Sequence, residues 1–184
     1  MDNNNDILDS DLESTGTSKQ EEIIISENKF MFLCFISFGL YQVWWIYKAW
    51  RFFQQRENLD IIPAARAIFS IFFLHGLFER ILSYASSKGY GKVFSPTSNY
   101  FGYILVSLLS RLPEPFWLIT LMNFTFLIPA FRALNFTKMN SSDIRATFQN
   151  DFTGRQIALI SFGGVFWFLV IAGLFFTDPA LRNL

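Results

Sequence analysis

The chain has 184 residues, of which 52% are hydrophobic and 19% aromatic, while only 16% are charged, against roughly 25% in an ordinary soluble domain. Its 24 Phe, 5 Trp and 6 Tyr exceed what one core of this size can bury, which argues against a soluble single domain and for side chains that face lipid. Formal net charge is zero, but residues 1–29 hold eight acids against two bases, leaving 13 bases and 7 acids for the rest.

Residues 1–28 read as an acidic tail. Asn, Asp, Ser, Thr and Glu dominate its first twenty positions, and too little apolar surface is present to offset the entropy of ordering it, so disorder is expected. An acidic start lacks the basic stretch of a secretory signal, so the first apolar segment is expected to stay as an anchor. A polytopic membrane domain is expected over 29–180, followed by a short tail at 181–184.

The first membrane segment, about 30–50, is uncharged from Phe30 to Tyr47, close to the roughly 20 residues that cross a bilayer. It ends in Tyr41, Trp44, Trp45, Tyr47 and Trp50 with Lys48 and Arg51, the aromatic belt and snorkelling bases of a membrane interface. The second, about 64–84, opens behind Pro63, which suits the first turn of a helix. A short segment at 100–111 reaches about half the hydrocarbon depth. It reads either as a short span extended back toward Val93 or as a half-helix hairpinned to the next segment through Arg111 to Pro115. The third firm segment, about 114–132, starts after Pro113 and Pro115, and Pro sets its boundary. The fourth, 156–177, carries no charge and stops at Asp178-Pro179.

Within the loop 132–155, Ile144, Phe148 and Phe152 recur every four residues behind Ser142-Asp143, with Gly154 after them. That pattern predicts a short helix lying in the membrane interface. The expected fold is thus all-α: an integral membrane helical bundle with four firm membrane segments, one short fifth segment and an interfacial helix. Lys and Arg are nearly balanced between the two sides whether four or five segments cross, so they do not set orientation.

Cys34 and His75 are the single cysteine and histidine. No internal disulfide can form and a zinc site lacks ligands; Cys34, in an apolar run, reads as a small buried hydrophobe. The candidate intramembrane polar residues are His75, Glu79, Arg80, Arg111 and Asn123. An ionisable group at membrane depth costs about 2.5–3.5 kcal/mol, so each calls for a partner or a use. His75 and Glu79 are one helical turn apart, with Ser83 a turn further, and this face is expected to point into the bundle or a wet cavity. Glu79 then serves either as a proton or cation acceptor in a small oligomeric transporter or channel, with His75 as relay, or as the structural partner of Arg80, Arg111 or Arg132. Arg111 and Glu114 flank the Pro113 turn and are placed to pair, or to anchor at the headgroups. Asn123 is expected to bond across helices.

One histidine and no membrane Asp pair exclude the intramembrane proteases; a lipid-modifying use of His75 or Glu79 stays open. No catalytic, cofactor-binding or metal-binding residue is assigned, and no nucleic-acid motif is present. Gly39, Gly163, Gly164 and Gly173 favour close helix approach. The expected partners are the lipid bilayer and other membrane proteins or a second copy of the chain.

The run Phe38–Trp50, F-G-L-Y-Q-V-W-W-I-Y-K-A-W, resembles the G-[I/L]-Y-x-x-[Y/W]-W-x-Y pattern that ends a membrane helix in uncharacterised bacterial proteins of a domain-of-unknown-function family. L-P-E-P-F-W-L-I at Leu112–Ile119, A-L-N at Ala133–Asn135 and G-G-V-F-W at Gly163–Trp167 are similar to further stretches of those proteins, in the same order. The resemblance implies a multi-pass protein of the bacterial inner membrane and carries over no catalytic or binding residue.

Overall fold

A computed structural model describes residues 20–111 and 116–177. The tail before Gln20, the Pro113 and Pro115 turn with Glu114, and the end from Asp178 lie outside the described residues. Part of the stretch expected to be disordered is ordered. Gln20–Ile24 forms strand β1, and Ser26 caps the next helix by accepting a hydrogen bond from the Lys29 amide at 3.3 Å. The partner of β1 is β2, Ile144–Phe148, paired in parallel with Gln20 opposite Ile144 and Ile24 opposite Phe148. The expected interfacial helix is therefore a strand. A spacing of four is also twice the strand period of two, so the Ile144 and Phe148 pattern fits either element, and an available partner decides it. Gly154 starts the following helix rather than stopping one.

Helix α1, Glu27–Ile36, and helix α2, Leu40–Glu57, divide the segment expected to cross at 30–50. The break is a Schellman turn: the Phe38 amide donates to the Phe35 carbonyl at 3.3 Å and the Gly39 amide to the Cys34 carbonyl at 3.0 Å. Phe38 and Gly39 both have positive φ, 52° and 87°, the left-handed geometry such an end requires. The second expected segment divides too, at Phe69, into α3, Pro63–Ile68, and α4, Ser70–Ser87. Helix α5, Pro96–Leu108, with a 3-10 turn to Arg111, covers the short fifth segment without reaching back to Val93.

The third segment runs on past 132. Phe116–Leu127 is a 3-10 helix that continues directly into α6, Ile128–Asn140. Pro129, near the start of α6, has no amide proton to offer the preceding turn and suits the first turn of an α-helix. Helix α7 is Gly154–Thr177. Two helical runs are long and apolar enough to cross a membrane, Leu118–Asn140 and Gly154–Leu174. The other two segments expected to be firm spans are interrupted helices, so four such spans are not supported. Among the described residues the fold is seven α-helices, two 3-10 stretches and one two-stranded sheet.

The core is drawn mainly from α1, α2, α4 and α6. Phe30 of α1 stacks on Phe131 of α6 at 4.3 Å and meets Trp45 of α2 edge-on at 5.6 Å. Leu74, Leu77, Phe78 and Ile81, spaced on one face of α4, are fully buried against Leu127, Ala130 and Leu134 of the third segment. Close approach is set by two glycines: a Cβ on Gly102 of α5 would strike the Phe126 ring, and one on Gly163 of α7 would strike the Ile36 carbonyl of α1. Gly164 and Gly173 have open space around them.

One end holds the sheet and the ion pairs Arg56 with Asp143, Arg80 with Glu57, and Lys138 with Glu22 at 2.9 Å. Helix α5 runs antiparallel to α4 away from that end, as shown by Phe94 against Phe78, Thr97 at His75 and Tyr100 donating to the Ile71 carbonyl. The exposed apolar side chains there include Phe69, Ile71, Phe72, Phe73, Phe101 and Leu105, with Arg66 over the Phe73 ring.

Candidate functional site

The residues singled out from the sequence do not form one site. His75 Nδ1 lies 3.8 Å from Glu79 Oε2, but the Glu79 side chain is 62% exposed, so this face points outward and not into the bundle. The His75 Nε2 is 3.2 Å from the Thr97 hydroxyl, which ties α4 to α5. Arg80 pairs with Glu57 instead of Glu79, and Arg132 grips Glu27 with two hydrogen bonds of 2.5 and 2.6 Å. Arg111 is exposed; Glu114, its expected partner, is outside the described residues. Asn123 does bond across elements: its Nδ2 donates to the Ser107 hydroxyl at 2.8 Å, while its buried Oδ1 has no hydrogen-bond partner. Among the described residues no group of three or more His, Cys, Asp or Glu side chains is placed to hold a metal.

Sequence reasoning missed a cavity of about 680 Å³ between α2, α6, β1 and the start of α7. Helix α2 supplies Leu40, Tyr41, Trp44, Trp45 and Lys48, a set spaced so that a helix puts all of them on one face. Helix α6 supplies Phe131, Leu134, Asn135 and Lys138 at intervals of three and four, again one stripe. The fourth wall is the N-terminus of α7, held by a capping box. Gln156 Oε1 accepts from the Thr153 amide at 3.1 Å, and the Gln156 amide donates to the Thr153 hydroxyl at 3.4 Å. The same Oε1 accepts from Gln149 at 3.0 Å and the Gln156 Nε2 donates to the Tyr41 hydroxyl at 3.5 Å. One buried amide thus joins α7, the β2 loop and α2.

The cavity is apolar in its walls and cationic at its rim. Lys48, Lys138 and Arg155 line it, and among the described residues no Asp or Glu does. Lys138, 7% exposed, is held by Glu22 of β1, so the rim keeps a positive excess. Nearby, Lys29 is buried where its ammonium donates to the backbone carbonyls of Asp151 at 2.6 Å and Gln149 at 3.3 Å; burial pushes its pKa down. Neither His75 nor Glu79 lines the cavity. The signal available in sequence was the aromatic run Tyr41–Lys48 itself, which reads equally well as a lipid-facing belt. No family model matches the chain, and no curated protein or solved structure is similar to it.

Proposed function

We propose that the chain is an integral protein of the bacterial inner membrane that acts by binding and interaction rather than by catalysis. The observation that carries this is α7: Gly154–Leu174 is apolar and long enough to cross, yet only 6% of its most apolar stretch is buried in the protein. A helix like this in water would expose Ile157, Phe162, Val165, Phe166, Phe168 and Leu169 to solvent, whereas a soluble core helix is covered by its neighbours. In a bilayer the same surface meets lipid at no cost. Residues Leu118–Asn140 form the second crossing, with 39% of the corresponding stretch buried. The α1–α2 hairpin, α4 and α5 pack around these two crossings, in place of four separate spans.

The likeness of Phe38–Trp50 to bacterial membrane proteins supports the inner membrane as the location. The outward-facing Glu79 and its distance from the cavity lining give the transporter alternative no support. Alkaline carbonate extraction and density flotation test the assignment: the full chain is expected to stay with the membrane and float with it, and release into the soluble fraction contradicts it.

A further inference from the structure

We propose that the cavity between α2, α6 and α7 holds an anionic phospholipid of the bilayer, its headgroup against Lys48, Lys138 and Arg155 and an acyl chain along Leu40, Trp44 and Leu159. This deepens the membrane assignment above and rests on it.

Three observations select this ligand. First, charge is complementary: among the described residues three cations and no carboxylate line the cavity, Lys138 buried and bound to Glu22 and Lys48 and Arg155 exposed. Lys48 and Arg155 make no ion pair with a described carboxylate, which leaves them for an outside anion. Second, the cavity of about 680 Å³ is smaller than a whole phospholipid, so it takes the headgroup side and part of one acyl chain, the rest lying in the bilayer. Its walls run out to Leu40 and Trp44, 55% and 46% exposed, so an acyl chain reaches the cavity along a continuous apolar path. Third, three of the polar side chains that line it are tied to the protein itself. Tyr41 and Gln156 bond each other, and the Asn135 amide donates to the Ile25 carbonyl at 3.2 Å. A peptide strand laid here would leave its backbone groups unpaired, whereas a hydrocarbon chain asks for no hydrogen bonds.

Native mass spectrometry of the full chain released from detergent, titrated with dioleoyl phosphatidylglycerol or dioleoyl phosphatidylcholine, tests the proposal. The expected result is one saturable phosphatidylglycerol per chain and at least about tenfold weaker binding of phosphatidylcholine. The Lys48→Gln/Arg155→Gln double variant should lose about tenfold or more in affinity for the anionic lipid. The matched pair Lys92→Gln/Arg145→Gln removes two exposed cations outside the cavity and should change affinity less than about threefold. Equal loss in both double variants, or equal binding of the two lipids, would overturn the proposal. So would a dimer that forms instead of the lipid adduct and is lost in the Lys48→Gln/Arg155→Gln variant. Binding that arises only after removal of residues 1–19 would assign the cavity to the chain's own acidic segment and equally overturn it. Release by carbonate sinks the membrane assignment and this proposal with it; a chain that floats with membrane yet takes up no saturable anionic lipid sinks this proposal and leaves the assignment standing.

Discussion

Phe38 adopts a left-handed conformation, φ 52°, that bulky side chains rarely hold. Its ring sits 4.7 Å from both Phe166 and Trp167, so aromatic packing against α7 compensates a backbone cost of about 1–3 kcal/mol. One turn of α7 earlier, Gly163 lets the Ile36 carbonyl come within contact of the helix backbone. Gly163→Ala is expected to cost about 1–3 kcal/mol, because a backbone must move to admit the new methyl. Gly164→Ala, with open space around it, should be neutral or stabilising by up to about 1 kcal/mol. Thermal unfolding of the two variants in the same detergent checks the contrast. At Glu27, the two hydrogen bonds from Arg132 hold the carboxyl below its usual pKa. A depressed carboxylate stabilises the fold above its unfolded pKa, about 4.3, and that contribution is lost as pH falls through the lower folded value. With the pair 28% and 53% exposed, Glu27→Gln should cost no more than about 1 kcal/mol at pH 7. It should also flatten the stability profile on the acid side, as read by denaturation between pH 7 and 3. Both glycines of the Gly163-Gly164 pair were visible as small residues, but which one faces α1 depends on a rotation about α7 that its nearly uniform apolar sequence does not encode.

Among the elements, β1 and β2 carry the sharpest consequence. Ile24 is 1% exposed and Ile144 7%, and Glu22 covers Lys138 from the same strand. Removing residues 1–25 should therefore destabilise the bundle by about 2–4 kcal/mol, from the burial lost at Ile24 together with the unpaired Lys138. Denaturation of the truncated chain beside the intact one measures this; equal stability would contradict the strand pairing. Sequence alone placed the ordered region at 29, because parallel pairing between segments more than a hundred residues apart leaves no local periodicity. The capping box at Thr153 and Gln156 was legible as Thr-x-x-Gln, but the polar Gln156 was read as the first residue of a bare apolar run. Phe30 to Tyr47 carries no charge, yet it holds two helices instead of one span. The turn at Phe38-Gly39 went unseen because its first left-handed residue is a phenylalanine, where Gly is the usual signal.

On the scale of the whole molecule, apolar composition pointed to lipid-facing surface, and the mainly helical fold, with two runs long and apolar enough to cross, fits that expectation. A run without charges reads the same along the chain whether it is one long helix or two helices folded back on each other, so the sequence merges the α1–α2 hairpin into a single span. The hairpin of α1 and α2 begins beside Asp151, where Lys29 is anchored, and turns against Trp167. From Gly154 to Gly163, where α1 ends, α7 rises about 14 Å, near half the hydrocarbon thickness. It then comes back to meet Asp143 through Arg56. The cavity exists because of that return, since the face of α2 that lines it would otherwise lie along a span. Labelling with a membrane-impermeant thiol reagent in sealed vesicles of both orientations reports whether this first segment turns back. On a Cys34→Ser background, Glu21→Cys, Asp60→Cys and Asn150→Cys are expected to react from the same side. Labelling of Asp60→Cys from the side opposite Glu21→Cys would show that residues 30–50 cross the membrane and would contradict the hairpin.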